Sequence, residues 1–172
     1  VQSCAPPISY VEALLNTLSA RQCNLPLFIE PGRAIVGNAG VLLTRVEYLK
    51  SAESHQFAVV DAAMNDLLRP ALYGAHHRVI EVSPADVEPA TYDVVGPICE
   101  TADFLSRGQR LSISQGDLLV VQSVGAYGSV MSSNYNARPR SAEVIVEGNK
   151  FHVVRRHETL SQLYQNESIL PD

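Results

Sequence analysis

Glu30 ends a short apolar run, Leu27-Phe28-Ile29, and opens the tetrapeptide Glu30-Pro31-Gly32-Arg33. A carboxylate directly after a buried strand stands where ligands bind in an α/β barrel, and it must find a partner if it is buried. Arg33 adds a planar bidentate donor suited to carboxylate or phosphate groups. Arg69 and Tyr73 lie four residues apart, which puts them on one face if 67–73 forms a helical turn, although Pro70 limits how regular that turn can be. Cys99 and Glu100 follow Gly96-Pro97, a pair suited to a fixed loop, and a positioned thiol can act as a general acid. Tyr127 sits in Gly125-Ala126-Tyr127-Gly128, where small neighbours let a backbone come close to a ligand. Taken one at a time, each residue has a plainer meaning. Pro31-Gly32 make a turn beside a solvated Glu30, Arg33 and Arg69 are surface charges, Tyr73 and Tyr127 are packing residues, and Cys99 is a small buried apolar side chain. The Gly125–Gly128 segment is too short to count as a phosphate loop by itself.

The elements that must position these groups are legible in the hydrophobic pattern. Val11, Leu14, Leu15 and Leu18 share one helical face, which predicts a helix over Ser9–Arg21, preceded by Pro6-Pro7 and ended by Asn24. Leu27–Ile29 reads as a strand buried on both sides in a parallel sheet. A helix followed by that strand and then Glu30 has the form of the last unit of an α/β barrel. After Gly40 short β-branched runs follow one another: Val41–Lys50, Phe57–Val60, Val79–Val82, Tyr92–Val95, Leu111–Ile113, Leu118–Val124, Ala142–Val146 and Phe151–Val154. That spacing predicts an antiparallel β-sandwich or barrel. Glu147-Gly148-Asn149-Lys150 is a hairpin turn, and Thr159–Gln165 a closing helix with Leu160, Leu163 and Tyr164 on one side.

A chain of 172 residues suits one domain with a real core, since domains run to roughly 100–200 residues. A formal net charge of -5 argues against a nucleic-acid backbone as partner and favours a small molecule or a protein. No apolar run approaches the roughly 18 residues of a membrane span, and the first residues lack the basic start and apolar centre of a signal peptide. Cys4, Cys23 and Cys99 are too widely spaced for a zinc site and odd in number, which points to a reducing, cytoplasmic setting. Adjacent His76 and His77 point apart in a strand, so no metal is expected, and His152 and His157 sit beside Arg155 and Arg156 on a solvated face.

Five segments stand in a fixed order: Glu30-Pro31-Gly32-Arg33, Asp61-Ala62-Ala63-Met64-Asn65-Asp66-Leu67-Leu68-Arg69-Pro70-Ala71-Leu72-Tyr73, Gly96-Pro97-Ile98-Cys99-Glu100-Thr101-Ala102-Asp103, Gly116-Asp117 and Gly125-Ala126-Tyr127-Gly128. From Leu27 onward the chain resembles the C-terminal part of the diaminopimelate decarboxylases, fold-type III pyridoxal-phosphate enzymes of lysine biosynthesis. The resemblance implies a mainly β fold: a Greek-key-like β-barrel or sandwich over 39–172, preceded over 1–38 by the last helix-strand unit of an α/β (TIM-like) barrel. It implies pyridoxal 5'-phosphate as cofactor and conversion of meso-2,6-diaminopimelate to L-lysine and carbon dioxide. Glu30 would partner the pyridine nitrogen, with Pro31, Gly32 and Arg33 in the cofactor region and Arg33 also on the substrate carboxylate. Tyr127 would bond the cofactor phosphate and lie near the substrate. Arg69 and Tyr73 would hold the distal end of the substrate, Glu100 its distal amino group, and Cys99 would return a proton to the α-carbon. Cys99 and Glu100 would act across a homodimer interface. Ala102 departs from the commoner glycine of that motif.

The family's Schiff-base lysine and glycine-rich loop have no match here, since Lys50 and Lys150 are the only lysines and neither stands in that context. The chain, opening on Val1, therefore reads as a C-terminal fragment expected to be inactive alone. The competing readings are another decarboxylase of the same fold, acting on ornithine, arginine or carboxynorspermidine, and a non-catalytic dimerising β module.

Overall fold

The apolar stripe of Val11, Leu14 and Leu18 forms helix α1 (Pro7–Ala20) in the computed structural model, which describes residues 7–52 and 55–171. Cys4 and Pro6 lie outside the described residues. The helix stops before Asn24. Gln22 takes a left-handed φ of 52°, with Gln22 N–H donating to Ser19 O at 2.9 Å and Cys23 N–H to Leu18 O at 2.9 Å. That pair of bonds is a Schellman ending, which satisfies carbonyls the last turn leaves open. Leu27–Ile29 does not form the expected strand. A strand is defined by ladder bonds to a neighbour, and no described strand runs beside this segment. The chain then enters a short helix α2 (Arg33–Val36) and a 3₁₀ turn, Gly37–Ala39.

Six strands follow in one sheet: β1 (Val41–Ser51), β2 (Gln56–Val60), β3 (Val79–Glu81), β4 (Ala90–Val95), β5 (Phe104–Leu111) and β6 (Leu118–Gln122), in the order β3-β6-β1-β2-β4-β5. Helix α3 (Arg69–Tyr73) lies between β2 and β3. Neighbours are antiparallel except β2 and β4, which pair in parallel through Phe57 with Asp93, Ala58 with Val94 and Val59 with Val95. The wholly antiparallel expectation fails there because a parallel pair needs a long crossover, and residues 61–89 supply one.

Alternation decides which face of β1 goes inward. Thr44 and Val46 are buried, a register shift between Val46 and Tyr48 changes the parity, and Leu49 then faces the core while Tyr48 is exposed. Val46, Ala58, Val60, Leu67, Val94, Leu105, Leu111, Leu119 and Val121 pack together inside. Each such side chain withdrawn from water contributes roughly 1.5–3 kcal/mol. Strand β5 lies earlier than the expected Leu111–Ile113 run. Its centre, Ser106-Arg107-Gly108-Gln109, is polar because the strand bulges there: two residues separate Ser106 from Gln109, opposite the single Asp93 between Val94 and Tyr92. The Asp93 carboxylate accepts the Gly108 N–H at 2.8 Å.

The two edge strands meet without a ladder, so the sheet is a nearly closed barrel. Ser106 Oγ donates to His77 O at 2.7 Å, Val79 N–H to Gln109 Oε1 at 3.2 Å, and Ser112 N–H to Glu81 Oε1 at 2.6 Å. His77 also holds the other side, with Nδ1 2.9 Å from Gln122 O at the end of β6. Beyond the barrel, β7 (Glu143–Glu147) and β8 (Lys150–Arg155) form the expected hairpin, Glu147 opposite Lys150, and α4 (Leu160–Tyr164) follows behind a Thr159–Gln162 capping box. No helix among the described residues is long and apolar enough to cross a membrane.

His77 is 4% exposed, and burial holds its imidazole below the ordinary histidine range, with Arg69 and His76 pushing the same way. The unfolded chain takes up a proton near the reference value of 6.5, the folded chain only at lower pH. Stability is therefore expected to fall as pH drops below 6.5 towards the folded value. Thermal unfolding between pH 8 and pH 5 checks this. His77→Asn, which keeps an amide nitrogen near the Nδ1 position, is expected to flatten that part of the profile, and an unchanged slope would reject the assignment.

Candidate active site

Two backbone hydrogen bonds and one side-chain bond join the segment after the Glu30–Arg33 turn to the Gly125–Gly128 turn. The 37–40 segment lies on 123–125, with Gly125 N–H donating to Gly37 O at 3.0 Å, Val124 N–H to Gly40 O at 3.0 Å and Ser123 Oγ to Asn38 Oδ1 at 2.9 Å. A Cβ on Gly125 would stand 2.0 Å from Val36 O, and one on Gly40 2.5 Å from the Gly125 Cα. Neither position has room for a side chain. Glu30, Pro31, Gly32 and Arg33 are exposed at the start of this docked segment. Tyr127 follows Gly125 by two residues, holds a left-handed φ of 60° unusual for a residue with a side chain, and is 46% exposed.

Arg69 opens α3 and brings the crossover to that tyrosine. Its guanidinium carbon lies 5.9 Å from the centre of the Tyr73 ring and 5.5 Å from that of Tyr127. Both distances fall in the range where a cation is drawn to an aromatic face. The four-residue spacing works as read, since Tyr73 closes the same turn, and Gly74 N–H caps it on Pro70 O at 3.0 Å. A planar cation flanked by two rings is oriented before any ligand arrives, and its five N–H donors suit a carboxylate.

The segment before α3 is fixed by Ser133 and Arg138, which lie outside the quoted motifs, and by Asp66 and Asp103, which lie within them. Arg138 donates from Nε to Asn65 Oδ1 at 2.9 Å and from a terminal nitrogen to Asp61 O. Ser133 N–H donates to Asn65 O at 2.9 Å, and Asp66 Oδ2 accepts the Ala63 N–H at 3.0 Å. Burial raises the Asp66 carboxyl above its ordinary range despite that bond and the nearby Arg138 charge. Asp103 ties in the remaining loop: Oδ1 accepts Met64 N–H at 2.7 Å, Oδ2 accepts Ile98 N–H at 2.7 Å. Cys99 and Glu100 stand exposed on this loop, and Tyr135 Oη lies 3.5 Å from Glu100 Oε2.

Asn65 and Arg138 escape a sequence reading because they are 73 residues apart and meet only in the folded chain. Their one signal in the sequence is that Asn65 stands inside the quoted Asp61–Tyr73 segment; its burial, which obliges the amide to find partners, is seen only in the fold.

A family model described as the C-terminal sheet domain of pyridoxal-dependent decarboxylases matches residues 10–125. The chain belongs to that family. Diaminopimelate decarboxylase of Pseudomonas aeruginosa is 58% identical over 168 residues, 96% of this chain and 40% of that protein. The Vibrio cholerae diaminopimelate decarboxylase is 56% identical over 166 residues, again 96% of this chain and 40% of its own length. The crystal structure of diaminopimelate decarboxylase from Helicobacter pylori complexed with L-lysine superposes with a TM-score of 0.81 at 41% identity, over 92% of this chain and 39% of that one. The chain thus spans about 40% of the length of the curated relatives it matches.

In the terms of this family, the fold gathers Arg69, Tyr73 and Tyr127 directly and ties the Glu30–Arg33 turn to Tyr127 through the glycine contact. Cys99 and Glu100 are joined to the same framework through Asp103 and Met64. Gly125→Ala is expected to break the glycine contact and part the two turns, because the added methyl group would meet Val36 O at 2.0 Å. Amide exchange checks it: protection at Val124 and at position 125 is lost while that at Leu119 and Val121 is kept. Retained protection at both sites would mean that the backbone yields without parting.

Proposed function

We propose that this chain is the C-terminal part of a diaminopimelate decarboxylase, which converts meso-2,6-diaminopimelate to L-lysine and carbon dioxide. The observation that carries the reading is Arg69 held between Tyr73 and Tyr127. Diaminopimelate differs from ornithine in bearing a second carboxylate at its distal end, and a pre-oriented guanidinium is the group that selects for it. The names of the relatives, at 56–58% identity, support the same substrate.

Pyridoxal 5'-phosphate fits the donor set present. When bound, it supplies an electron sink for the bond pair left as carbon dioxide departs. Glu30 would keep the ring nitrogen protonated, with Pro31 and Gly32 shaping the turn, and Tyr127 would bond the phosphate from the tight glycine turn. Arg33 would take the cofactor region and the reacting carboxylate. Arg69 and Tyr73 bind the distal carboxylate, Glu100 the distal ammonium, and the Cys99 Sγ–H delivers a proton to the α-carbon. Lys50 is the last residue but one of β1 and Lys150 opens β8, so the lysine that anchors the cofactor is assigned to the remainder of the protein. Residues 1–38 are read as the end of an α/β barrel domain and 39–172 as the β domain, a division supported by the start of β1 at Val41. Cys99 and Glu100, exposed on their loop, fit a role in the partner's site of a cytoplasmic homodimer.

The test is carbon dioxide release from meso-diaminopimelate and from ornithine by this chain co-expressed with the N-terminal part and supplied with pyridoxal phosphate. Release from diaminopimelate alone is expected, and the chain by itself is expected to release none. Release from ornithine in preference would favour the related decarboxylases. Release from neither, by a folded dimer, would favour a non-catalytic module. Arg69→Ala is expected to lower kcat/KM for diaminopimelate about a hundredfold, the ~3 kcal/mol scale of a truncated buried charge pair, with Arg69→Lys recovering only part of it. Turnover that survives Arg69→Ala would overturn the substrate assignment.

A further inference from the structure

We infer that Asp103 is a positioning residue for Cys99 and Glu100, fixing the loop that carries them against the segment that leads into Arg69. The inference deepens the decarboxylase reading and rests on it for the roles of those two residues. The geometry is that of a joint. Asp103 is 4% exposed, and its two carboxylate oxygens each accept one backbone N–H, from Met64 and from Ile98, both at 2.7 Å. Its own backbone closes the loop, with Gly96 N–H donating to Asp103 O at 3.1 Å and Asp103 N–H to Glu100 O at 3.0 Å. Gly96 lies so close that a Cβ there would stand 2.4 Å from Asp103 Oδ2. On the other side, the Met64 turn runs straight into α3 through Leu67 N–H to Ala63 O at 3.1 Å and Leu72 N–H to Leu68 O at 3.0 Å.

Only a carboxylate can do this. Two N–H groups converge on one small side chain, and a carboxylate presents two acceptors and no donor. Asparagine has the same shape, but its NH2 would face one of those N–H groups, losing a bond and adding a repulsion. Alanine would leave both N–H groups unpaired, and serine offers one oxygen on a shorter side chain in place of two. Because Ile98 is the residue before Cys99, an error at this joint moves the thiol directly, while the glycine contact that holds the Tyr127 turn does not involve it.

The test uses Asp103→Asn, and separately Gly96→Ala, in the complete protein. Amide exchange of Asp103→Asn is expected to speed at Met64 or Ile98, or at both, by at least about tenfold, with Leu119 and Val121 unchanged. Exchange unchanged at both would overturn the joint, whether or not the protein turns out to be a decarboxylase. In the active enzyme kcat/KM is expected to fall by about tenfold or more while pyridoxal-phosphate affinity stays within about twofold, since Glu30 and Tyr127 are held elsewhere. Cys99→Ser supplies the deciding comparison. Its cost should be much smaller in the Asp103→Asn background than in the wild type, because the thiol is already displaced. Equal cost in both backgrounds would reduce Asp103 to a stability residue and reject the positioning role. Gly96→Ala, which presses on the same carboxylate without altering it, should reproduce the pattern, and a wild-type Cys99→Ser cost there would count against the inference.

Discussion

The position of Arg69, on which the substrate reading rests, depends on how two sheet edges that share no ladder are brought together. β3 and β5 meet through side chains: Ser106 on the His77 carbonyl, Gln109 on the Val79 N–H, Glu81 on the Ser112 N–H. This closure holds two otherwise open edges, which would offer unpaired backbone groups to other chains. It also places the crossover. Residues 61–89 must run from the end of β2 to the start of β4, and β3 is part of that path, so the position of α3 and of Arg69 follows from where β3 docks. His77 sits at this junction with Nδ1 on Gln122 O, while its buried Nε2 finds no partner among the described residues. A neutral ring tolerates that, whereas a charged one would not.

The strands that sequence patterning finds are those whose inward positions alternate cleanly, such as β6, where Leu119 and Val121 face in between half-exposed neighbours. β5 breaks that rule. Its bulge spends two residues against one, and its inner face carries Ser106, a polar side chain buried because it has a dedicated acceptor. Period-two reasoning then shifts to the next apolar pair, Leu111 and Ile113, of which only Leu111 belongs to the strand. Leu27–Ile29 fails for a different reason. Its composition suits a strand buried on both faces, but strand character lies in the neighbours that accept its hydrogen bonds, not in the segment itself.

Legibility of the candidate site divides in the same way. Arg69 and Tyr73 are readable together because helical spacing is local, while the approach of Tyr127 to the same guanidinium, from 58 residues away by sequence number, is a product of the fold. The short motifs mark the groups with chemistry to do. What holds them, Asn65 with Arg138 and Asp103 with Met64 and Ile98, links the quoted segments to one another and to Arg138, in good part through backbone N–H groups, which nearly every residue carries. A backbone partner leaves no signature in a sequence, so the framework is the part that had to be seen.

That framework explains an otherwise odd distribution of exposure. Asp103, Asn65 and Leu67 are buried, while Tyr73, Cys99, Glu100 and Tyr127 stand at the surface. A decarboxylase site needs its charged groups to act at low dielectric, which requires that water be kept away. The described surface does not enclose those side chains, so on the proposed function the enclosure would come from further protein: a barrel carrying the cofactor lysine, and a partner subunit into which Cys99 and Glu100 would reach. Rigid roots with exposed tips are what such a division of labour demands. The tips must meet a second surface within tenths of an ångström, and only side chains anchored to buried, fully bonded backbone can arrive there already in place.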